Sequence, residues 1–203
     1  MAWRISRDAA EPSYMLDTGR FSDAVAIQFP LTEGASPFMG FDDRPVHILY
    51  WQARWQRDID DAYQDIHHAH PNFWSDVYWF AEGKFPYPID ESFQSEEARQ
   101  WLVSHAANNP MAMLDRAQPV QELVAAGFRT LTAKDRLLAS AGGEWRNGRW
   151  AVVIERPIDG DDELSQRLIN GSAEELALAI WHGSAGNVGA RKHWTMWVPI
   201  VRK

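Results

Sequence analysis

The chain has 203 residues, 45% of them hydrophobic, and carries a formal charge of −8. That length suits one domain with a real core, the charge argues against a nucleic-acid partner, whose phosphates need a positive surface, and no apolar run approaches the roughly 18 residues of a membrane span. Cysteine is absent, which excludes disulfides, thiolate metal sites, iron–sulfur clusters and covalently attached c-type haem together.

Residues 1–8 lack the apolar stretch of a secretory leader. This fits a protein that stays inside, a leader not included, or export bound to a partner that carries the signal. Residues 24–29 form a short apolar stretch ending at Pro30, which predicts a strand. A loop with Gly34, Pro37 and Gly40 follows, then a stronger strand over 46–55. Val46, Ile48 and Tyr50 share one face of it, and His47, Leu49 and Trp51 the other. Both faces are largely apolar, which suits an interior strand.

The pattern breaks down from Gln56 to Pro119. This stretch holds His67, His68 and His70, the aromatics Trp74, Tyr78, Trp79 and Phe80, and a predicted helix over 95–107 with Ser95 as N-cap and Glu96 and Glu97 in its first turn. With little aliphatic periodicity it is an insertion between strands rather than a second domain. Strand signals return at 128–132, at 144–150, where Asn147-Gly148 supplies the positive φ angles of a tight hairpin, and at 151–155, 176–181 and 194–201. Residues 164–169 suit a helical turn or a strand equally. The expected fold is mainly β: an antiparallel β-sandwich forming one domain over 1–203, with a long, partly helical insertion at 56–118. Eleven tryptophans can fill a β core, wall a flat cofactor cavity or stack on sugars.

No dinucleotide fingerprint, phosphate-binding loop or nucleophile elbow is present, and the acidic run 159–163 is a solvated loop, so nothing argues for catalysis. His67-His68-Ala69-His70 is the obvious metal candidate. However, adjacent histidines point apart and no carboxylate–histidine motif of recognised spacing accompanies them, which favours an exposed polar segment.

Two stretches are more telling. One joins Ala26-Ile27-Gln28-Phe29-Pro30 to Pro37-Phe38-Met39-Gly40 and on to Arg44-Pro45-Val46 and Tyr50-Trp51-Gln52-Ala53. The other runs from Ala177 through Trp181-His182-Gly183-Ser184 to Gly189-Ala190-Arg191-Lys192 and Trp194. Each sets an apolar strand beside a glycine-containing loop with one residue able to bind iron. A glycine-flanked methionine can bring its thioether close to a flat macrocycle, whereas lysine binds a metal only when desolvation and coordination remove its proton.

Together with Gly-x-Trp-x-x-Gly-x-Trp at 143–150, these motifs resemble the haem-b-binding γ-type subunit of the type II dimethyl sulfoxide reductase family. That family includes ethylbenzene, dimethyl sulfide and steroid side-chain dehydrogenases and chlorate and selenate reductases. The resemblance covers roughly 21–53 and 119–201. It implies a b-type haem with axial methionine and lysine, matched here by Met39 and Lys192, with Met111 and Met113 as reserve ligands. Arg191 and Arg54 are candidates for the haem propionates or are solvated. Trp51, Trp181 and Trp150 are candidates for pocket walls or core.

The resemblance further implies a non-catalytic electron-transfer subunit in a heterotrimer. Its companions are a molybdenum-cofactor catalytic subunit and an iron–sulfur subunit, with a soluble cytochrome c as external partner. It implies a periplasmic location reached by export with the catalytic subunit. Two filled axial positions exclude oxygen and substrate from the iron and suit electron transfer. Thioether ligation in an apolar pocket predicts a low-spin haem of comparatively high potential. The competing reading is a carbohydrate-binding β-sandwich module without haem.

Overall fold

The computed structural model describes residues 2–6, 11–14, 17–73, 87, 89–157 and 174–200. Its strands are β1 (Ala2–Ser6), β2 (Ala24–Pro30), β3 (Val46–Gln52), β4 (Val120–Ala125), β5 (Thr132–Ala133), β6 (Ser140–Arg146), β7 (Arg149–Glu155), β8 (Glu174–Trp181), β9 (His193–Trp194) and β10 (Val198–Ile200). They form a three-stranded sheet, β1-β7-β6, and a seven-stranded sheet, β10-β8-β2-β3-β4-β5, with β9 also paired to β8. Every pairing is antiparallel, and the expected mainly-β sandwich is what forms.

Alternation along each strand sends one set of side chains between the sheets. Val25, Ile27 and Phe29 of β2, Leu49 and Trp51 of β3, Val120 of β4 and Leu176 of β8 meet Trp150, Val152 and Ile154 of β7 there. Trp51 and Trp150 lie 5.0 Å apart, near edge-to-face, an arrangement that adds about 0.5–1.5 kcal/mol to their burial. Gly143 permits it, because a Cβ there would stand 2.4 Å from the Trp51 ring.

Polar side chains tie the layers together at three points. Glu122 of β4 accepts the backbone N–H groups of Leu138 at 2.8 Å and Ala139 at 2.6 Å, and lies 3.0 Å from His47 Nε2. Arg156, which can only donate, sits 3.2 Å from His47 Nδ1. Nδ1 therefore accepts, and the ring proton lies on Nε2, facing the carboxylate. Gln56 Oε1 accepts from Trp51 Nε1 and from the Gly143 N–H. Asp23 accepts from Ser13 and Gly183 N–H groups and from Trp150 Nε1.

The second predicted strand stops at Gln52, and α1 (Ala53–Asp60) begins directly after it. Apolar residues at 51, 53 and 55 follow the strand's period of two, and the contacts of Trp55 and Gln56 decide for helix instead. The helix expected over 95–107 is two single turns, α4 (Glu96–Arg99) and α5 (Val103–Ala106), preceded in the insertion by α2 (Ile66–Ala69) and α3 (Ile89–Ser92). Ser95 does cap the Ala98 N–H as expected, yet Ala98 is the one buried residue of α4 and none of α5 is buried, so no apolar stripe holds a longer helix together.

The strand expected at 128–132 does not form: the chain turns there between β4 and the short β5, which shares only Thr132 with it. Gly127 and Arg129 adopt positive φ there, and Phe128 is exposed. The expected final strand 194–201 splits into β9 and β10. Between them Thr195 exchanges bonds with Leu178, its N–H donating to the carbonyl and its Oγ1 accepting from the N–H. The Asn147-Gly148 hairpin forms as predicted, with φ of 53° and 74°. Residues 164–169 and the aromatics Trp74, Tyr78, Trp79 and Phe80 lie outside the described residues.

Candidate cofactor-binding face

The outer face of the seven-stranded sheet is apolar too. The register places Gln121, Tyr50, Ala26, Ala179 and Trp194 in one row across five adjacent strands, with Ile48, Gln28 and Ala177 in the next and Ala24 opposite Trp181. Four alanines on β2 and β8 thus make a low floor, bordered by Tyr50, Trp181 and Trp194. Ala26, Val46, Ile48, Leu123 and Ala125 form a buried cluster on this face with Ala35, against which Met39, Met111, Tyr50, Trp181 and Trp197 pack.

Met39 sits on the loop between β2 and β3 with φ of 70°. That left-handed conformation costs a non-glycine residue about 1–2 kcal/mol and persists where surrounding bonds enforce it. Here the Met39 carbonyl accepts from Gly127 N–H at 2.8 Å, and Gly40 N–H donates to Ser36. Gln28 Nε2 donates to the Pro37 carbonyl at 3.1 Å, and Trp197 Nε1 to the Ala35 carbonyl at 2.8 Å. Gly40 cannot carry a side chain, because φ is +74° and a Cβ would lie 2.7 Å from the Arg44 carbonyl oxygen and 2.9 Å from that of Ala125.

Lys192 follows a second constrained loop. His182 N–H donates to Asn187 Oδ1, Gly186 turns the chain with φ of 76°, and Trp181 Nε1 donates to the Gly189 carbonyl at 3.0 Å. Gly183 abuts the Phe21 backbone with no room for a Cβ. The half-buried Lys192 Nζ lies 5.2 Å from the centre of the Trp181 ring, and burial pushes its pKa down from the ordinary lysine value. Phe38 and Trp194, at 4.4 Å, bring the Met39 loop against the segment that follows Lys192.

Met39, Trp181 and Lys192 therefore belong to one face, with Trp181 between the packed cluster and the amine. Arg191 is exposed beside them. Trp51 and Trp150 point to the other side of their sheets and fill the inter-sheet core, the second of the two roles open to them. Among the reserve methionines, Met111 packs on the same outer cluster and Met113 is exposed. Arg54 donates to the Gln64 carbonyl and lines a separate cleft of about 230 Å³ with Tyr14, Arg57, His68 and His70, which includes neither Met39 nor Lys192.

The histidine run divides between two carboxylates, His67 and His68 on Asp65 and His70 on Asp17. Among the described residues no group of three or more His, Cys, Asp or Glu side chains could hold a metal ion, and no helix is long and apolar enough to cross a membrane. Gln28, Tyr50 and Trp194 stood inside the quoted motifs without being read as site residues, and Trp197 was not picked out. The available signal was a glutamine in line with the alanines of an otherwise apolar strand.

A mainly-β sandwich with a second apolar sheet face and two fixed loops over it defines the class. A family model described as ethylbenzene dehydrogenase matches residues 1–193, and the chain belongs to that family, in agreement with the resemblance drawn from its motifs. It is also similar to a protein of Haloferax mediterranei named "Putative respiratory nitrate reductase heme subunit ORF7", 25% identical over 118 residues. The similarity covers 53% of this chain and 43% of that relative, so the chain matches less than half of the relative's length.

Proposed function

We propose that this protein is a non-catalytic electron-transfer subunit that holds one b-type haem against the outer face of the seven-stranded sheet, with Met39 and Lys192 as axial ligands. The observation that carries this reading is the convergence of the two loops on one apolar face: Met39 and Trp181 both pack on its buried cluster, and Lys192 lies over the Trp181 indole. The family membership and the haem-subunit name of the Haloferax mediterranei relative support the cofactor.

The donor set fits the group. A thioether and an amine are both neutral ligands, and a face of alanine, isoleucine, leucine and aromatic side chains gives a flat macrocycle an apolar floor. Partial burial favours the unprotonated amine that a metal requires. When bound, the haem supplies a one-electron couple at an iron with no open coordination position. The residues around it exclude water and hold the ligands. Exposed Phe38 and Trp194 on this side offer apolar surface for the cofactor edge or a partner.

The partners that fit are a molybdenum-cofactor catalytic subunit and an iron–sulfur subunit, with a soluble cytochrome c as external acceptor or donor, in the periplasm. The test is the absorption spectrum of the purified protein. A red preparation with one haem per chain and a b-type, low-spin reduced-minus-oxidised spectrum is expected. A colourless protein that refuses haem, above all one retained on polysaccharide, overturns the reading in favour of a sugar-binding module.

A further inference from the structure

The two loops over the outer face share one mode of attachment. Each is tied to the sheet by one side-chain N–H donated from an outward-facing position on adjacent strands. Gln28 of β2 donates to the carbonyl of Pro37, two residues before Met39, and Trp181 of β8 donates to the carbonyl of Gly189, three residues before Lys192. The tethers spring from neighbouring strands in fixed register, Gln28 opposite Ala177 and Trp181 opposite Ala24. On β2 the outward positions are Ala24, Ala26 and Gln28, a glutamine only 8% exposed. A buried amide in that position is costly unless its hydrogen bonds are made.

We infer that Gln28 and Trp181 are positioning residues for the two iron ligands, fixing the separation of the thioether and the amine through the rigid β2–β8 pair. The inference rests on the proposed ligation by Met39 and Lys192. A sheet-borne clamp at each ligand holds the coordination sphere in one geometry in both oxidation states, which is what an electron relay needs. Trp181 has a second part, since its ring also forms the surface under the Lys192 amine.

The test uses the full chain with haem bound and the variants Gln28→Met and Trp181→Phe. Gln28→Met keeps the bulk and removes the donor, and Trp181→Phe removes the donor while keeping a smaller aromatic ring under the Lys192 amine. Carbon monoxide reaches ferrous iron only when an axial ligand lets go, so its apparent affinity reports the detached fraction. Both variants are expected to bind one haem and to take up carbon monoxide about five- to tenfold more tightly than wild type, the factor equivalent to about 1–1.4 kcal/mol. Their midpoint potentials are expected to shift as well.

Unchanged carbon monoxide affinity and potential in variants that are merely less heat-stable overturn the inference and reduce both residues to scaffolding. Should Gln28→Met fail to fold, Trp181→Phe, at a half-exposed position, decides alone. Wild-type protein without haem, or Met39→Ala and Lys192→Ala variants with wild-type spectra, overturns the ligation reading itself and the inference with it.

Discussion

Replacing Glu122 by alanine removes the anchor between the two sheets, and the structure gives the size of the loss. The carboxylate accepts the N–H groups of Leu138 and Ala139 and faces the Nε2 proton of His47, with both side chains at or below 2% exposed. Alanine strands three buried donors at about 1–3 kcal/mol each. Water entering the gap returns part of that, so the expected destabilisation is about 3–5 kcal/mol, the range found on breaking a buried pair by removing one partner. Urea unfolding at neutral pH, followed by tryptophan fluorescence, should show a lower midpoint with an unchanged slope. Glu122→Gln keeps an acceptor for the backbone donors and should lose roughly half as much. A loss below about 1 kcal/mol in Glu122→Ala refutes the assignment of an anchor.

The same pair sets a pH dependence. Burial lowers the His47 pKa, with Arg156 adding to it and Glu122 opposing. Burial pushes Glu122 the other way, but the hydrogen bonds from His47, Leu138 and Ala139 outweigh it and leave its pKa lowered. In both cases the unfolded chain takes up the proton first. Their stabilisation is therefore complete above the unfolded histidine value and is lost on acidification, beginning as the pH falls past about 6.5 and steepening below about 4.3. A midpoint denaturant concentration that rises on acidification from pH 7 to 5 contradicts the neutral-histidine, ionised-glutamate state.

Lys192→Ala and Met39→Ala should each convert a low-spin spectrum to one with a high-spin contribution, whereas Met111→Leu should leave it unchanged; the reverse pattern transfers the thioether to Met111. Trp51→Ala should cost about 3–5 kcal/mol by emptying the inter-sheet core, yet leave the spectrum of bound haem as in wild type, because its ring lies on the opposite face of the sheet from the proposed haem site. Gly40→Ala should cost about 2 kcal/mol or more, read as a drop in Tm, because the residue needs φ of +74° and its Cβ would press on two carbonyl oxygens.

The hairpin at 144–150 and the central strands were legible because their determinants are local: an Asn-Gly turn and short apolar runs. β4 was missed for the opposite reason. Its run contains Gln121 and Glu122, which look solvated until His47, Leu138 and Ala139 supply partners 75, 16 and 17 residues away in sequence. β1 was not read as a strand, because its partner β7 lies far along the chain and the pairing leaves no local mark. The boundary at Gln52–Ala53 could not be set by periodicity, since tertiary bonds from Gln56 choose the helix. Around the site, Met39, Trp181 and Lys192 stood out through their glycine-flanked motifs. Gln28 and Trp197 act through hydrogen bonds to the backbone of a loop, which no residue pattern records.

The two-sided apolarity of β3 carries more meaning in the fold than it did in the sequence. In a two-layer sandwich the inner face is buried and the outer face meets water, so strands should alternate apolar and polar. β2 alternates Ala24, Ala26 and Gln28 against Val25, Ile27 and Phe29, and β8 alternates Ala177, Ala179 and Trp181 against Leu176, Leu178 and Ile180. On these two strands the inner face carries only bulky residues, whereas the outer face carries four alanines with Gln28 and Trp181 at their ends. A sheet that merely needed covering by its own loops would gain more from leucine than from alanine on that face, at about 25 cal/mol per Å² buried. Alanines there give up that gain and keep the floor low, which is what a broad, flat ligand requires. The loops that carry Met39 and Lys192 reach over this low floor from β2 and β8, the two strands that supply it. Ala179→Leu should therefore hold or raise the stability of the haem-free chain while lowering its affinity for haem. If haem affinity survives that substitution intact, the macrocycle does not lie on the alanines.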